Sequence, residues 1–487
     1  MGKINVFEIL GQLYSGEYWI SRFLLQRALG FIYLIAFINA LNQFPPLCGK
    51  HGLMPIDSHL NRIPFKKAPS IFHWKYSDAL LRGVAGTGIV LSLIALTGLS
   101  ESGPLGFSML IWFLLWVLYL SIVNAGQTFY GFGWESMLLE AGFFAIFLGP
   151  MHMAAPVLVI WLVRWMLFRV EFGAGLIKMR GDQCWRDLTC LNYHHETQPL
   201  PNPLSRYFHL MPQWIHKTET LFNHFIQLIV VWGLFFPQPI ASISAALIIL
   251  SQAYLIVSGN YSWLNWLTLS LAFSGFNDAV IQRFVTITPP QMAPIPELYW
   301  PVLVILGLTV LYLSYRPVKN MLSPRQVMNF SFNPLHLVNT YGAFGSVTKT
   351  RYEIILEGTR DSSIGPDTEW KAYEFKGKPG SPSRRPPQIS PYHLRLDWQM
   401  WFAAMSSPHR NPWLRQLIQK LLQGDRATEK LLRDTPFKGA SPRHIRARLF
   451  KYRYATKEER RRGGTWWKRS YVSDYIRPLS RADLVDP

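Results

Sequence analysis

The amino-acid sequence predicts an α-helical multi-pass membrane bundle of about nine spans, followed by a soluble β-rich domain of the α+β kind. Three observations predict it. Of the 487 residues, 49% are hydrophobic and 15% aromatic while only 16% are charged, which excludes an ordinary soluble protein. Nine stretches approach the ~20 apolar residues a helix needs to cross a bilayer. Charge also divides the chain: Met1 to Tyr315 carries 17 Lys/Arg against 14 Asp/Glu, whereas Arg316 to Pro487 carries 32 against 15.

The spans are expected near 23–44, 80–99, 106–124, 135–149, 156–176, 219–236, 240–258, 262–281 and 298–315. Glu135, Glu140, Asn265, Asn277 and Asp278 interrupt the fourth and eighth, which are half-buried or re-entrant in the alternative reading. Mixed polarity precedes the first span and no small-residue cleavage site follows it, so it reads as a retained helix, not a signal peptide. The bundle thus occupies 1–315, with long loops at about 45–79 and 177–218. Lys50, Arg62, Lys66, Lys67 and Lys75 lie in the first loop, and Lys178, Arg180, Arg186, Arg206 and Lys217 in the second. With nine spans, the loops after the first and fifth and the C-terminal region fall on one side. The positive-inside rule would make that side cytoplasmic, although it weakens for long loops and whole domains.

After a connector at 316–347, a β-rich domain with appended helices is expected over 348–440. Lys349–Thr359 and Glu369–Lys376 alternate as strands do, and Leu394–Met405 and Trp413–Leu422 have helical apolar spacing. The last segment, 441–487, is a basic aromatic tail in which Arg446, Arg448, Lys451 and Arg453 interleave with Tyr452, Tyr454, Trp466 and Trp467. An anionic bilayer surface suits it better than nucleic acid, given the tether to a membrane body. A solvated basic face packed on the domain by its aromatics is the plainer alternative.

The fifth span carries the chemistry. Arg164, Phe168, Glu171, Gly175, Lys178 and Asp182 step by four and three along one helical face. Ionisable groups in lipid cost several kcal/mol and mark candidate sites. Glu171 is two turns from Arg164 and from Lys178, so partners must come from other helices, with Glu135, Glu140, His224, Gln227 and Asp278 available. One reading is an interhelical network that fixes packing; the other is a solvated cavity around Lys178 or Glu171. Gly173 and Gly175 permit close backbone approach. In the following loop, Cys184, Cys190, His194, His195 and Glu196 offer ligand atoms, but their spacing matches no zinc motif and no metal is expected. Cys184 and Cys190 form a disulfide in an oxidising compartment and are thiols otherwise. Gly126, Gly131 and Gly133 make a turn without a phosphate-binding pattern, and no cofactor motif is present.

Long motifs carry a resemblance. They are Gly133-Trp134-Glu135 through Glu140 to Phe143; Phe168-Arg169-Val-Glu171-Phe-Gly173-Ala-Gly175 through Lys178 and Arg180 to Asp182; Trp185-Arg186-Asp187; and His195-Glu196-Thr197-Gln198 to Asn202. Ser258-Gly-Asn260-Tyr261 with Asn265, Asn339-Thr-Tyr341, Glu357 with Arg360-Asp361, and Tyr392-His-Leu-Arg395-Leu-Asp397-Trp398 continue the series. Over nearly its whole length the chain resembles the lipase maturation factor family. The resemblance implies a non-enzymatic chaperone of the endoplasmic reticulum membrane, whose large loops and tail face the lumen. Its expected partners are membrane lipids and a client secreted hydrolase such as a lipase. The chain departs from the family at His195, where Tyr is usual, and at Gly377 and Pro387, where Cys is frequent. No retention motif closes the sequence, so a bacterial inner membrane is the alternative location.

Two other functions compete. An intramembrane enzyme, distantly similar in layout to the vitamin K-dependent carboxylases, would use Lys178 as base with Glu171 or Glu140 orienting it. A transporter would use the same charges as an ion path, but no pair of broken helices repeats across two halves.

Overall fold

The structure is a computed structural model that describes residues 17–437 and 440–484. Most of the lead-in to the first span, and the last three residues of the expected tail, lie outside it.

Helix α1 (Trp19–Cys48) starts where the Asp278 carboxylate accepts the backbone N–H groups of Trp19 and Ile20, at 2.9 and 2.8 Å. Donors that a helix start leaves orphaned are thereby satisfied. The Ser77 hydroxyl caps α2 (Asp78–Thr97) by accepting from the Leu80 N–H at 3.0 Å. α1 and α2 approach closely at Gly30, where a Cβ would sit 2.8 Å from the Leu96 backbone nitrogen. α3 (Leu105–Ala125) and the short, almost wholly buried α4 (Gly133–Ala145) follow. Next come α5 (Val157–Arg180) and, in the loop after it, α6 (Leu191–Thr197). The bundle is completed by α7 (Gln213–Leu228), α8 (Ile240–Ser258), α9 (Leu264–Ala272) and α10 (Trp300–Leu322).

Among the described residues, five helices are long and apolar enough to cross a membrane: α1, α2, α3, α8 and the run Glu297–Leu322 that contains α10. The other four expected spans differ for physical reasons. α4 has 13 residues and α9 only 9. Both are packed inside the protein, where neighbouring elements rather than lipid surround the polar groups. The expected 219–236 span divides into amphipathic α7 and a 3-10 turn over Val230–Phe235. α5 has the length, at 24 residues, but its five charges make it too polar.

In the C-terminal region, β1 (Arg351–Thr359) pairs with β2 (Lys371–Ala372), while β3 (Glu374–Phe375) pairs with a later short strand, Leu432–Asp434. Helices α11 (Arg395–Ala404) and α12 (Pro412–Gln423) fall where the apolar spacing placed them, and α12 buries Trp413, Leu414, Leu417, Ile418, Leu421 and Leu422. The short strand is β4, and β5 (His444–Tyr454) and β6 (Trp467–Ser480) close the chain. The main sheet is ordered β2-β1-β5-β6, with β1 and β5 in antiparallel register from Arg351↔Tyr452 to Thr359↔His444.

The separate segment expected as a basic aromatic tail over 441–487 is therefore corrected: His444–Tyr454 and Trp467–Ser480 are two long strands of the domain's own sheet. Its alternation is strand periodicity. Ile445, Ala447, Phe450, Tyr452 and Tyr454 are buried, whereas Lys451 and Arg453 are exposed. Phe450, Tyr452, Tyr454, Trp466 and Trp467 cluster with Ile355, as the solvated-face alternative requires.

This region docks on one end of the bundle. Arg395 at the start of α11 enters that end, its guanidinium 2.7 Å from Glu135 Oε1 with both side chains fully buried. It also donates to Asn39 Oδ1 and to the Phe129 carbonyl, each at 2.8 Å. Asn39 and Gln43 of α1 donate to the His393 carbonyl at 2.6 Å, and Gln399 donates to the Thr128 carbonyl at 2.8 Å. Trp134, Phe132, His393 and Trp398 pack edge to face around the joint. On the other side of the interface, Arg206 donates to the Ala455 carbonyl at 2.6 and 3.0 Å, and Arg351 to the carbonyls of Glu196 and Pro199 at 3.0 Å.

Removing one partner of a buried ion pair strands the other charge, at a cost of about 3–5 kcal/mol. Arg395→Met and Glu135→Gln should each lower the thermal unfolding midpoint in detergent and open the 316–347 connector to protease. Midpoints and cleavage equal to the wild type would remove this pair from the joint.

Candidate functional site

The charges of α5 do not pair along their own stripe. Arg164 and Asp182 turn to neighbours of their own while Glu171 and Lys178 share one, so the four form no single constellation. Arg164 donates to the Ser274 carbonyl at 2.7 Å, to the Leu234 carbonyl at 3.2 Å and to the Tyr18 hydroxyl at 3.2 Å. Arg169 forms a buried salt bridge with Glu140, whose carboxylate also accepts from the Asn339 backbone and amide, each at 2.9 Å, and from the Tyr341 hydroxyl at 2.7 Å. Glu140 therefore anchors the connector, with its carboxylate taken up by Arg169, Asn339 and Tyr341.

Glu171 and Lys178 meet through an amide instead. Gln227 of α7 donates to Glu171 Oε2 at 3.0 Å and accepts from Lys178 Nζ at 2.9 Å. Gln252 of α8 donates to Glu171 Oε1 at 2.7 Å, and Lys178 donates to Asn223 Oδ1 at 2.7 Å. Lys178 also lies 4.9 Å from the Trp185 ring centroid. Of the partners the sequence offered, Gln227 serves this pair, while His224 donates to the Trp185 carbonyl at 3.0 Å and Asp278 caps α1. Gln252 and Asn223 were not among them, because nothing in the spacing of α8 or of amphipathic α7 marks which amide faces Glu171 or Lys178.

These groups stand at the floor of a cavity of about 470 Å³ between α5, α7 and α8. Val170, Phe222, Leu250 and Leu255 give it apolar walls, and Trp185, His195, Tyr261, Asn265, Tyr341 and Phe344 close its loop end. An apolar pocket with a few convergent polar groups is the usual form of a ligand site. His194 contacts the Tyr261 hydroxyl at 2.8 Å, and burial pushes its pKa down to about 3. Burial likewise lowers His195 and pushes His209 down to about 4, so these imidazoles are neutral near pH 7. His195 also meets α7, where His216 and Glu219 approach it. The sequence signal for that pair is its His-x-x-Glu spacing on an amphipathic helix.

The remaining motif residues are structural. Glu196 accepts from the Tyr454 backbone at 2.7 Å, raised in pKa by burial, and the Thr197 carbonyl accepts from Trp401 at 3.0 Å. Gln198 donates to Ser205 Oγ at 2.9 Å, and Asn202 to the Val257 carbonyl at 2.7 Å. Asn260 accepts from the backbones of Ile389 and Ser390 at 2.9 Å, and Asp397 from that of Gly377 at 2.6 Å. Tyr392 accepts from Asn42 at 3.4 Å. Glu357 accepts from Arg446 at 2.8 Å, Arg360 lies over Phe437, and Asp361 accepts from the Glu369 backbone at 3.2 Å. Near the surface, Arg180 donates to Gln326 at 2.8 Å, Asp182 accepts from the Cys184 N–H at 3.1 Å, and Arg186 donates to the Met179 carbonyl at 2.7 Å. Asp187 accepts from Gln183 at 2.8 Å. Cys184 and Cys190 are joined in a disulfide.

Comparison with known proteins decides among the competing functions. Residues 20–283 match the lipase maturation factor transmembrane domain and residues 337–477 the lipase maturation factor C-terminal domain. The chain is 42% identical to lipase maturation factor 1 of Bos taurus over 97% of its own length and 91% of the relative's. Lipase maturation factor 1 of Homo sapiens is 43% identical over 97% and 90%, and lipase maturation factor 2 of Xenopus laevis 29% over 95% and 82%. This chain belongs to the lipase maturation factor family. No solved structure matches it. Membership makes it a multi-pass integral membrane protein and favours neither the carboxylase-like enzyme nor the transporter.

Gly173 shows how tightly the family motif is packed: a Cβ there would lie 2.5 Å from the Tyr341 carbonyl oxygen, and one on Gly175 2.7 Å from Leu228. Gly83 in α2 faces open space. Gly173→Ala should therefore destabilise by about 1–3 kcal/mol through overpacking. Gly83→Ala should be neutral or stabilise by up to about 1 kcal/mol. Thermal unfolding in detergent measures both, and the same sign for the two would contradict the packing.

Proposed function

We propose that this protein is a membrane-anchored maturation factor that assists the folding or assembly of secreted lipases or related hydrolases. The observation that carries the reading is collinear similarity to lipase maturation factors over 97% of the chain, bundle and C-terminal domain together. Satisfied charges on α5 agree with it, since Lys178 is held by two amides and a ring rather than poised toward an open reactant. Five helices cross the membrane, and α4, α5, α7 and α9 add shorter or more polar inner segments to the bundle.

The loop regions and the C-terminal sheet then face the lumen of the endoplasmic reticulum. The Cys184–Cys190 disulfide supports that side over the cytoplasm, because an oxidising compartment preserves it. The client meets the C-terminal sheet, where β6 is an edge strand with Tyr471 and Val472 exposed at 49% and 46%. An open edge can take an extended segment of a folding partner.

A photo-crosslinking residue at Tyr471, in cells co-expressing a homodimeric lipase, should capture the immature lipase and release it once active. Capture no greater than from a probe at exposed Leu99, in the turn between α2 and α3, would refute this surface. Thiol-specific labelling of intact microsomes should modify Cys184 and Cys190 only after reduction; labelling without reductant would contradict the luminal assignment.

A further inference from the structure

We propose that His195, His216 and Glu219 form a zinc-binding site on the wall of the α5–α7–α8 cavity. One ligand atom from each lies within 4.8 Å of the others. Glu219 Oε2 is 3.3 Å from His216 Nδ1 and 3.6 Å from His195 Nε2. Tetrahedral zinc with bonds of ~2.0–2.2 Å holds its donors ~3.3–3.6 Å apart, so two of the three separations are already those of a ligand set.

The unpartnered imidazole of His195 leaves room for a cation at this point. His216 Nε2 faces the His209 carbonyl at 3.4 Å, and a carbonyl only accepts, so Nε2 carries the proton. Nδ1 of the same ring is directed at the Glu219 carboxylate. His195 is 2% exposed, and neither of its ring nitrogens has a hydrogen-bond partner, although Nε2 points at that same oxygen. Two imidazole nitrogens and a carboxylate oxygen thus converge on one point, and a metal ion placed there satisfies all three.

Outer contacts are those of a metal site. The second oxygen of Glu219 accepts from the Tyr254 hydroxyl, and the His209 carbonyl fixes the His216 tautomer. His216 and Glu219 are one turn apart on α7, while His195 comes from α6, so the ion ties the loop after α5 to the bundle. Two imidazoles and one carboxylate suit Zn²⁺ among the common divalent ions. His195 and Glu219 line the cavity, so the fourth coordination position opens into it and admits a water or an anionic ligand.

The test uses the full chain in nanodiscs, purified without a histidine tag, stripped with chelator and titrated with zinc alone or cobalt alone. The expected result is one equivalent of zinc per chain, and a cobalt complex with tetrahedral visible bands that zinc displaces. His195→Phe and Glu219→Gln should each weaken zinc by at least about tenfold. His409→Ala, at an exposed position, should not. No retained zinc and no tetrahedral cobalt spectrum in the wild type would overturn the site, whatever the variants do. Unchanged zinc affinity in well-folded His195→Phe and Glu219→Gln would overturn it equally.

Discussion

A positive guanidinium from the C-terminal region sits inside the end of the membrane bundle, and the rest of the architecture depends on its being neutralised there. Arg395 is fully buried against Glu135, with Asn39 and the Phe129 carbonyl taking further N–H donors. Neither charge is tolerable there without the other. The pair therefore acts as a registration pin: α11 enters at one place and orientation, and the aromatic ring of Trp134, Phe132, His393 and Trp398 closes around it. With α11 fixed, the sheet is carried onto the loop after α5, where Arg351, Arg206 and Glu196 complete a second polar seam. Bundle and sheet are in this way one body.

Charge inside α5 obeys the same constraint with a different outcome. Arg164, Arg169, Glu171 and Lys178 each find an acceptor or donor on another element, and only Glu171 and Lys178 do so beside a cavity. Membrane-buried charge here organises packing first. What remains open to small ligands is the cavity wall formed by α6 and α7, away from the residues that first drew notice.

Much of this was legible in the chain. Five crossing helices, the strands at β1 and β2, and helices α11 and α12 followed from apolar runs and periodicity, because those signals arise from burial on one face or all faces. The inner helices were harder: α4 and α9 are short because protein, not lipid, surrounds them, and a hydropathy window assumes lipid. Residues 441–487 were read by charge when their period of two was the stronger fact. At the site, Gln227 was visible as a polar residue in an apolar helix, but its bridging of Glu171 and Lys178 is a contact between helices 49 and 56 residues apart in sequence. Glu135 and Glu140 were seen together as membrane carboxylates, yet one binds Arg395 and the other Arg169, a division that only the fold reveals.

The claim at the centre of this account is that the whole body, bundle plus docked sheet, brings a lipase to its active state. The direct measurement is the specific activity of a homodimeric lipase secreted from cells lacking their own maturation factor and supplied with this chain. The account predicts restored activity per molecule of lipase, carried by the native dimer. Lipase that stays inactive, while this chain is present and inserted in the membrane, would contradict it.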